Sequence, residues 1–231
     1  MTTLMKPTAR AASTALAFEH ASDFAASADN AIKRMCDIIA SLIGIILLTP
    51  VWIIVAAMVR LHDGGPAFFK QERVGLDGTT FTMFKFRTMH VDAEAMKASL
   101  AEANEADASA GNSVMFKMAN DPRVTRIGAF LRKTSIDELP QLFNVLRGDM
   151  SLVGPRPPLP SEVAQYEPRV MGKFAVRPGI TGLWQISGRS NLSWDETVHL
   201  DLSYAQHRSL TLDAWIALQT IPALLRHEGA Y

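Results

Sequence analysis

The longest apolar segment of the chain runs from Ile38 to Val59 and contains no charged residue over its 22 positions. About 20 apolar residues can span the hydrocarbon core of a bilayer, so the segment predicts a membrane helix. Pro50 removes a backbone hydrogen bond near its middle, and we expect the helix to kink or break there. Basic residues lie on both sides of the segment, namely Lys33, Arg34, Arg60, Lys70 and Arg73. This distribution favours a helix that re-enters on the same face of the membrane, whereas hydropathy alone also allows a kinked transmembrane anchor.

Alternating residues at 67–74 and 80–88 predict the two strands of a β-hairpin, which turns at Asp77-Gly78. In the second strand Lys85 and Arg87 lie on one face, because side chains alternate along a strand. Two cations on one face can bind a diphosphate. A solvated charged face over an apolar one is the alternative that the pattern leaves open.

Helical spacing or capping motifs mark further segments of the chain. They are residues 92–107, 120–132, 139–147, 193–204 and 211–226. The last of these has a wide apolar face that suits either a core helix or one at the membrane interface, and its exposed part could support a homodimer. Because helices predominate over the short strands, we expect a helix-rich α/β fold.

Charge and composition narrow the classes of function. The 231 residues include 23 basic and 23 acidic side chains, so no global basic field points to nucleic acid. The lone Cys36 cannot form an internal disulfide, and no Cys/His cluster has the spacing of zinc ligands. We predict three regions: a disordered or weakly helical tail at 1–30, the membrane helix at 31–60 and the main domain at 61–231.

Two adjacent carboxylates, Asp137 and Glu138, follow a basic pair at 132–133 where a helix is predicted to begin. Pro140 fits only near a helix start, which places both acids in the first turn. The unsatisfied N–H groups there favour negative charge, so the position suits an ionised carboxylate beside a phosphate. The alternative is purely structural: Ser135 with Glu138 would form a capping box, or Asp137 would be the N-cap.

Further arginines lie in predicted loops and turns. The proline-dense run at 154–158 predicts a rigid extended loop that displays Arg156. Arg177 and Arg189 lie at turns on either side of a short strand bounded by glycines. A stiff loop loses little entropy when it binds a ligand, although proline-rich turns are more often plain connectors.

Five segments that occur together and in order resemble those of one known family. They are Lys85–Met89, Asp121–Arg123, Leu131–Gln141, Ser151–Pro157 and Arg177–Gly182. Over about residues 31 to 231 the chain resembles the bacterial sugar transferase family, the monotopic phosphoglycosyl transferases that start polysaccharide assembly on polyprenyl phosphate. The resemblance implies a monotopic protein whose re-entrant helix breaks at a proline, matched here by Pro50. It also implies an active site on the cytoplasmic face of the bacterial inner membrane, with 61–231 as the catalytic domain.

The same resemblance implies the chemistry. Asp137 is expected to attack the sugar-linked phosphorus of a UDP-sugar, release UMP and form an aspartyl phosphosugar that polyprenyl phosphate then attacks. Glu138 is expected to hold Mg²⁺, which bridges the diphosphate oxygens. The expected substrate contacts are Arg132, Lys85, Arg87, Arg156 and Arg189. Asp201 is expected as a further acidic group of the substrate-binding site.

The resemblance implies the first membrane step of exopolysaccharide synthesis, but no residue predicts which sugar is transferred. A non-catalytic membrane-anchored scaffold of a polysaccharide assembly complex is the alternative function. In that case the two carboxylates would act only as helix caps, and Asp201 would be an ordinary residue on the surface of its helix.

Overall fold

The computed structural model describes residues 9–97, 121–188 and 192–226. The chain divides into two compact units, Met1–Cys36 and Asp37–Tyr231. Helix α1 (Ala9–Asp63) provides all the described residues of the first unit. Residues 9–30, which we predicted as a disordered or weakly helical tail, are therefore helical, and residues 1–8 lie outside the described part of the chain.

Helix α1 continues through Pro50 without interruption, so the predicted break is not seen in the helix. Pro50 has no N–H for the preceding turn, and the Thr49 hydroxyl donates a hydrogen bond of 2.8 Å to the carbonyl of Ile45 in that turn. Side-chain bonds of this kind help an apolar helix to tolerate a proline. Among the described residues, one helix segment, Asp29–Asp63, is long and apolar enough to cross a membrane. The re-entrant path stays a prediction.

One face of α1 packs against the rest of the second unit on both sides of Pro50. Its buried positions repeat at helical spacing and are Asp37, Ser41, Trp52, Val55 and Val59. The last three join a hydrophobic core with Phe86, Leu131 and Leu142. The opposite face exposes large apolar side chains: Ile39, Leu42, Ile43, Ile46, Leu47, Ile53, Ile54 and Leu61. One face of the helix therefore packs against the protein, and the opposite face has the apolar side chains needed for contact with lipid.

Strands β1 (Phe68–Val74) and β2 (Thr80–Phe86) form the predicted antiparallel hairpin. The residues between them, Leu76–Gly78, make a 3₁₀ turn in which Asp77 has a φ of 54° and Gly78 a φ of 73°. Asp and Gly tolerate this left-handed region better than most residues, which explains why this dipeptide marks the turn.

A second, parallel sheet pairs β3 (Ser151–Val153) with β4 (Gly179–Thr181). The two backbones approach so closely that a Cβ on Gly179 would lie 2.0 Å from the nitrogen of Gly154. Only glycine fits at position 179 without moving the backbone. This contact holds the proline-rich loop after β3 against the turn before β4.

Helices make up most of the remaining described chain. They are α2 (Ala93–Lys97), α3 (Arg126–Lys133), α4 (Gln141–Arg147), α5 (Pro160–Val163), α6 (Leu183–Ile186), α7 (Trp194–His207) and α8 (Leu210–Arg226). Two 3₁₀ segments accompany them, Ile136–Glu138 and Pro168–Ala175. The prediction of a helix-rich fold with short strands is confirmed.

Two predicted helix starts had different outcomes. The capping box of Ser193 and Glu196 at the start of α7 is confirmed. The start predicted at residue 120 is wrong, because Thr125 caps α3 by accepting a 2.8 Å hydrogen bond from the N–H of Gly128. Residues 98–120, with most of the helix predicted at 92–107, lie outside the described residues.

Candidate active site

The two adjacent carboxylates lie in the 3₁₀ turn Ile136–Glu138, between α3 and α4. Ser135 enters this turn with a φ of 54° and makes no side-chain capping bond. Pro140 precedes the first residue of α4 and acts as its N-cap, again with no side-chain bond. The capping box and the Asp137 N-cap are therefore both wrong, and a non-glycine residue at positive φ is the strained position expected beside a functional group.

Asp137 is buried, with only 7% of its surface exposed. Burial raises the pKa of its carboxyl to about 6; the charge of Lys85 opposes the rise, Glu138 adds to it, and Arg132 opposes it. A carboxylate with a pKa near 6 is ionised at neutral pH yet poorly solvated. It is therefore a better nucleophile than a carboxylate on the surface.

Lys85 and Glu138 form an ion pair with 2.8 Å between Nζ and Oε1. Both side chains keep some solvent access, 24% for Lys85 and 35% for Glu138. The pair is therefore accessible to a ligand rather than sealed in the core. Lys85 of β2 therefore lies beside the carboxylate turn, and its phosphate-binding role stays a prediction.

Arg132, in the last turn of α3, is close enough to Asp137 for their charges to interact. Its Nε donates a 2.9 Å hydrogen bond to the hydroxyl of Thr88, just after β2. Burial lowers the pKa of Arg132, and the negative charge of Asp137 opposes that change. The guanidinium keeps its charge at neutral pH and helps to hold Asp137 in its ionised form.

Arg156 lies in the proline-rich loop, as predicted. Its guanidinium contacts Glu162 at 3.5 Å and lies 5.8 Å from the centre of the Trp184 ring. Arg73 of β1 is almost fully buried and donates to the carbonyl of Pro157 at 2.9 Å. Burial lowers the pKa of Arg73 to about 10; the charge of Arg156 lowers it further, whereas Glu162 and Glu138 raise it. Arg73 and Arg156 are therefore close enough for their charges to interact, and the charge of Glu138 also acts on Arg73.

Other predicted site residues are placed elsewhere. Arg87 is buried and forms an ion pair with Asp63 at the end of α1, so its guanidinium is occupied away from Glu138. Asp201 is buried on α7 and forms an ion pair with Lys173. Asp201 is therefore not a residue on the helix surface, and its carboxylate is neutralised inside the protein. Arg189 lies outside the described residues, and Pro50 lies inside α1.

Comparison with known proteins assigns a family to this arrangement. Residues 28–227 match the family described as bacterial sugar transferase. The chain belongs to this family. Its relatives include the exopolysaccharide production protein ExoY of Sinorhizobium fredii, which is 38% identical over 98% of this chain and all of the relative.

Two further relatives are named for the sugar that they transfer. The galactosyl transferase CpsE of Streptococcus agalactiae is 47% identical over 86% of this chain and 43% of its own length. The UDP-glucose:undecaprenyl-phosphate glucose-1-phosphate transferase of Caulobacter vibrioides is 40% identical over 86% of this chain and 72% of its own length. The chain spans less than half the length of several relatives, CpsE among them.

Two residues that sequence reasoning missed lie beside the candidate site, Arg73 and Trp184. A signal for Arg73 was available in the hairpin register, which pairs Phe69 with Lys85. Residues 69, 71 and 73 share one face of β1, so Arg73 had to lie on the same face as Lys85. Trp184 gave no such signal, because its contact with Arg156 joins segments that are distant in sequence.

The carboxylates of Asp137 and Glu138 would suit Mg²⁺ only together with a phosphate ligand. Among the described residues, no group of three or more His, Cys, Asp or Glu side chains could hold a metal ion. Mg²⁺ typically binds one or two carboxylates and completes its shell with water and substrate phosphate oxygens. The adjacent Asp137 and Glu138 fit that donor set, although Lys85 already binds Oε1 of Glu138.

Proposed function

We propose that this protein transfers a sugar 1-phosphate from a UDP-sugar to polyprenyl phosphate, which would be the first membrane step of exopolysaccharide synthesis. The observation that carries the proposal is the buried carboxylate of Asp137, whose pKa is raised to about 6, beside Lys85, Glu138 and Arg132. Relatives named for transfer to undecaprenyl phosphate support the choice of acceptor.

The proposed reaction proceeds in two displacements. An oxygen of Asp137 attacks the phosphorus next to the sugar, the bond from that phosphorus to the bridging oxygen breaks, and its electron pair leaves with UMP. A phosphate oxygen of the lipid then attacks the aspartyl phosphosugar, and the breaking bond returns its electron pair to the Asp137 carboxylate. Each step is easier than direct attack by one bound substrate on the other.

The cations around Asp137 have separate roles in this proposal. Arg132 and Lys85 offset the negative charge that builds up when a carboxylate approaches a diphosphate, while Arg73 and Arg156 add positive charge that would favour the leaving nucleotide. Mg²⁺ held by Glu138 and Asp137 would supply further neutralisation of the diphosphate oxygens.

We further propose that α1 re-enters the cytoplasmic leaflet of the inner membrane. Two contacts support this path: Asp37, before Pro50, accepts a 3.1 Å hydrogen bond from the N–H of Leu152, and Asp63, after it, pairs with Arg87. A helix that crossed the bilayer would carry Asp37 and Asp63 to opposite sides of a core about 30 Å thick, so a domain on one side of the membrane could not contact both. An active site held at headgroup height would meet both a lipid phosphate and a soluble nucleotide sugar.

The test of the reaction is release of UMP from UDP-sugars by the full chain in detergent with polyprenyl phosphate and Mg²⁺. Asp137→Asn keeps the shape of the side chain but removes the nucleophile, so turnover should fall by a factor of about a thousand or more. Asp195→Asn, at an exposed position of α7, is the matched control and should keep full turnover. Full turnover by a folded Asp137→Asn protein would exclude the mechanism.

The sugar is best identified with a panel of donors, because the relatives are named for both galactose and glucose. Labelled UDP-galactose, UDP-glucose and their N-acetylated forms should differ in the yield of label retained on the protein. The retained label should be found at Asp137 when the acceptor lipid is left out.

A further inference from the structure

A groove of about 470 Å³ lies between the hairpin and α4, within the size range of ligand-binding sites. Its lining is mainly aromatic and aliphatic, with two cations: Phe68, Lys70, Phe84, Pro140, Phe143, Leu146 and Arg147. We propose that this groove binds an anionic phospholipid of the bilayer, with an acyl chain along the apolar lining and the phosphate between Lys70 and Arg147.

The apolar end of the groove continues into the membrane helix. The ring of Phe143 lies 4.9 Å from that of Trp52 in α1, in an edge-on contact. The Phe68 ring stacks on Phe86 at 5.2 Å, and Phe86 in turn lies 6.0 Å from Trp52. Phe68 and Phe143 are each about two-fifths exposed, and Ile53, next to Trp52, is 65% exposed. A chain in the groove would therefore be continuous with the lipid that covers α1.

The polar end of the groove has the charge that a lipid phosphate needs. Nζ of Lys70 lies 6.0 Å and Cζ of Arg147 lies 5.6 Å from the centre of the same Phe84 ring, so both cations lie at the Phe84 end of the groove. In the described part of the chain, neither cation forms an ion pair with a carboxylate. Both are exposed, so their charges are accessible to a lipid headgroup.

The position of the groove separates it from the reacting groups. Lys70 pairs with Phe84 and Phe69 pairs with Lys85 in the hairpin, so the groove and the Lys85 side chain lie on opposite faces. Helix α4 closes the edge of β2 between these faces: Asn144 accepts from the N–H of Phe84 at 3.0 Å and donates to the carbonyl of Thr82 at 2.7 Å. The groove therefore suits a resident lipid that seats the enzyme in the leaflet rather than the lipid that reacts at Asp137.

The test measures retention of phosphatidylglycerol by the full chain in detergent micelles, using native mass spectrometry, with phosphatidylcholine as the neutral comparison. The double variant Lys70→Gln/Arg147→Gln should bind phosphatidylglycerol about ten to thirty times more weakly, because each cation near a lipid surface contributes to binding. The charge-matched control Arg126→Gln/Arg169→Gln lies outside the groove and should bind as the unaltered protein does. This readout needs no turnover, so it is independent of the proposed function.

A second measurement separates a resident phospholipid from the acceptor. In phospholipid-free detergent, the double variant should keep the KM for polyprenyl phosphate within about twofold of the unaltered protein. Weaker retention of phosphatidylglycerol with this KM unchanged would support the proposal. Unchanged retention would overturn it, and a tenfold rise in KM would assign the groove to the acceptor and overturn it as well. Thermal unfolding of both double variants verifies that they are folded.

Discussion

The buried carboxylate of Asp137 sets the expected pH dependence of the enzyme. In the proposed mechanism the ionised carboxylate attacks, and its pKa is about 6, so the rate of the first displacement should fall as the pH drops through about 6. Lys85 holds this pKa down, so Lys85→Gln should move the acid limb of the pH–rate profile upward by about one unit.

The control for this prediction is Lys85→Arg, which keeps a positive charge next to Glu138 and should return the limb to near pH 6. Single-turnover release of UMP, followed between pH 5 and 8, measures the limb directly. A profile that keeps its midpoint in Lys85→Gln, with only a lower plateau, would mean that Lys85 binds substrate without tuning Asp137.

The burial of Asp137 also predicts that its ionised carboxylate lowers the free energy of unfolding at neutral pH. The folded-state pKa of Asp137 lies above the ordinary aspartate value of 3.8, so the folded protein holds the proton more tightly than the unfolded chain. Stability from this group is present below pH 3.8 and is lost as the pH rises to about 6. Asp137→Asn, which cannot ionise, should therefore raise the free energy of unfolding at pH 7 by about 1–3 kcal/mol.

Thermal unfolding in detergent at pH 4.5 and at pH 7 measures this effect. The gain should be larger at pH 7, where the unaltered carboxyl is ionised in both states. The exposed Asp195→Asn variant should change the unfolding free energy by less than about 0.5 kcal/mol at either pH. Equal stability of Asp137→Asn and the unaltered protein at pH 7 would contradict a buried, poorly solvated carboxylate.

Among the elements, those specified by neighbouring residues were predicted and those specified by distant contacts were not. The hairpin follows from alternation and from Asp77-Gly78, and α7 from a capping box within four residues. In contrast, the partner of Arg87 is Asp63, 24 positions away, and that of Asp201 is Lys173, 28 positions away. Local spacing could place these charges on a face but could not identify what neutralises them.

The attachment of α1 to the parallel sheet gives an element-scale prediction. The Asp37 carboxylate is 4% exposed and accepts a 3.1 Å hydrogen bond from the N–H of Leu152 in β3. Asp37→Ala would leave that buried N–H without its acceptor, at a cost of about 1–3 kcal/mol in the free energy of unfolding. Asp37→Asn keeps an oxygen acceptor and should cost less.

Chemical unfolding in detergent, followed by circular dichroism, compares these variants. Asp29→Ala removes an exposed carboxylate from the same helix and should change stability by less than about 0.5 kcal/mol. If Asp37→Ala were as stable as Asp29→Ala, the contact with β3 would not hold this part of α1 in place.

At the scale of the whole molecule, the path of α1 decides where the active site lies relative to the membrane. With Cys36→Ser as background, Ala31→Cys and Leu61→Cys place single thiols at exposed positions before and after the apolar segment. A re-entrant helix predicts that a membrane-impermeant maleimide modifies both thiols in inverted inner-membrane vesicles and neither in intact spheroplasts.

Leu47→Cys is the control for depth, since Leu47 is 72% exposed in the protein and lies close to Pro50. Its thiol should resist the reagent from both sides, because the residues around the proline would lie in the hydrocarbon region. A transmembrane anchor predicts a different pattern, in which positions 31 and 61 react from opposite sides. That result would also exclude simultaneous contact of Asp37 and Asp63 with the catalytic domain, because one domain cannot reach both faces of a core about 30 Å thick. Labelling of both flanks from the cytoplasmic side would instead place Asp137 at the height where lipid phosphate and nucleotide sugar can meet.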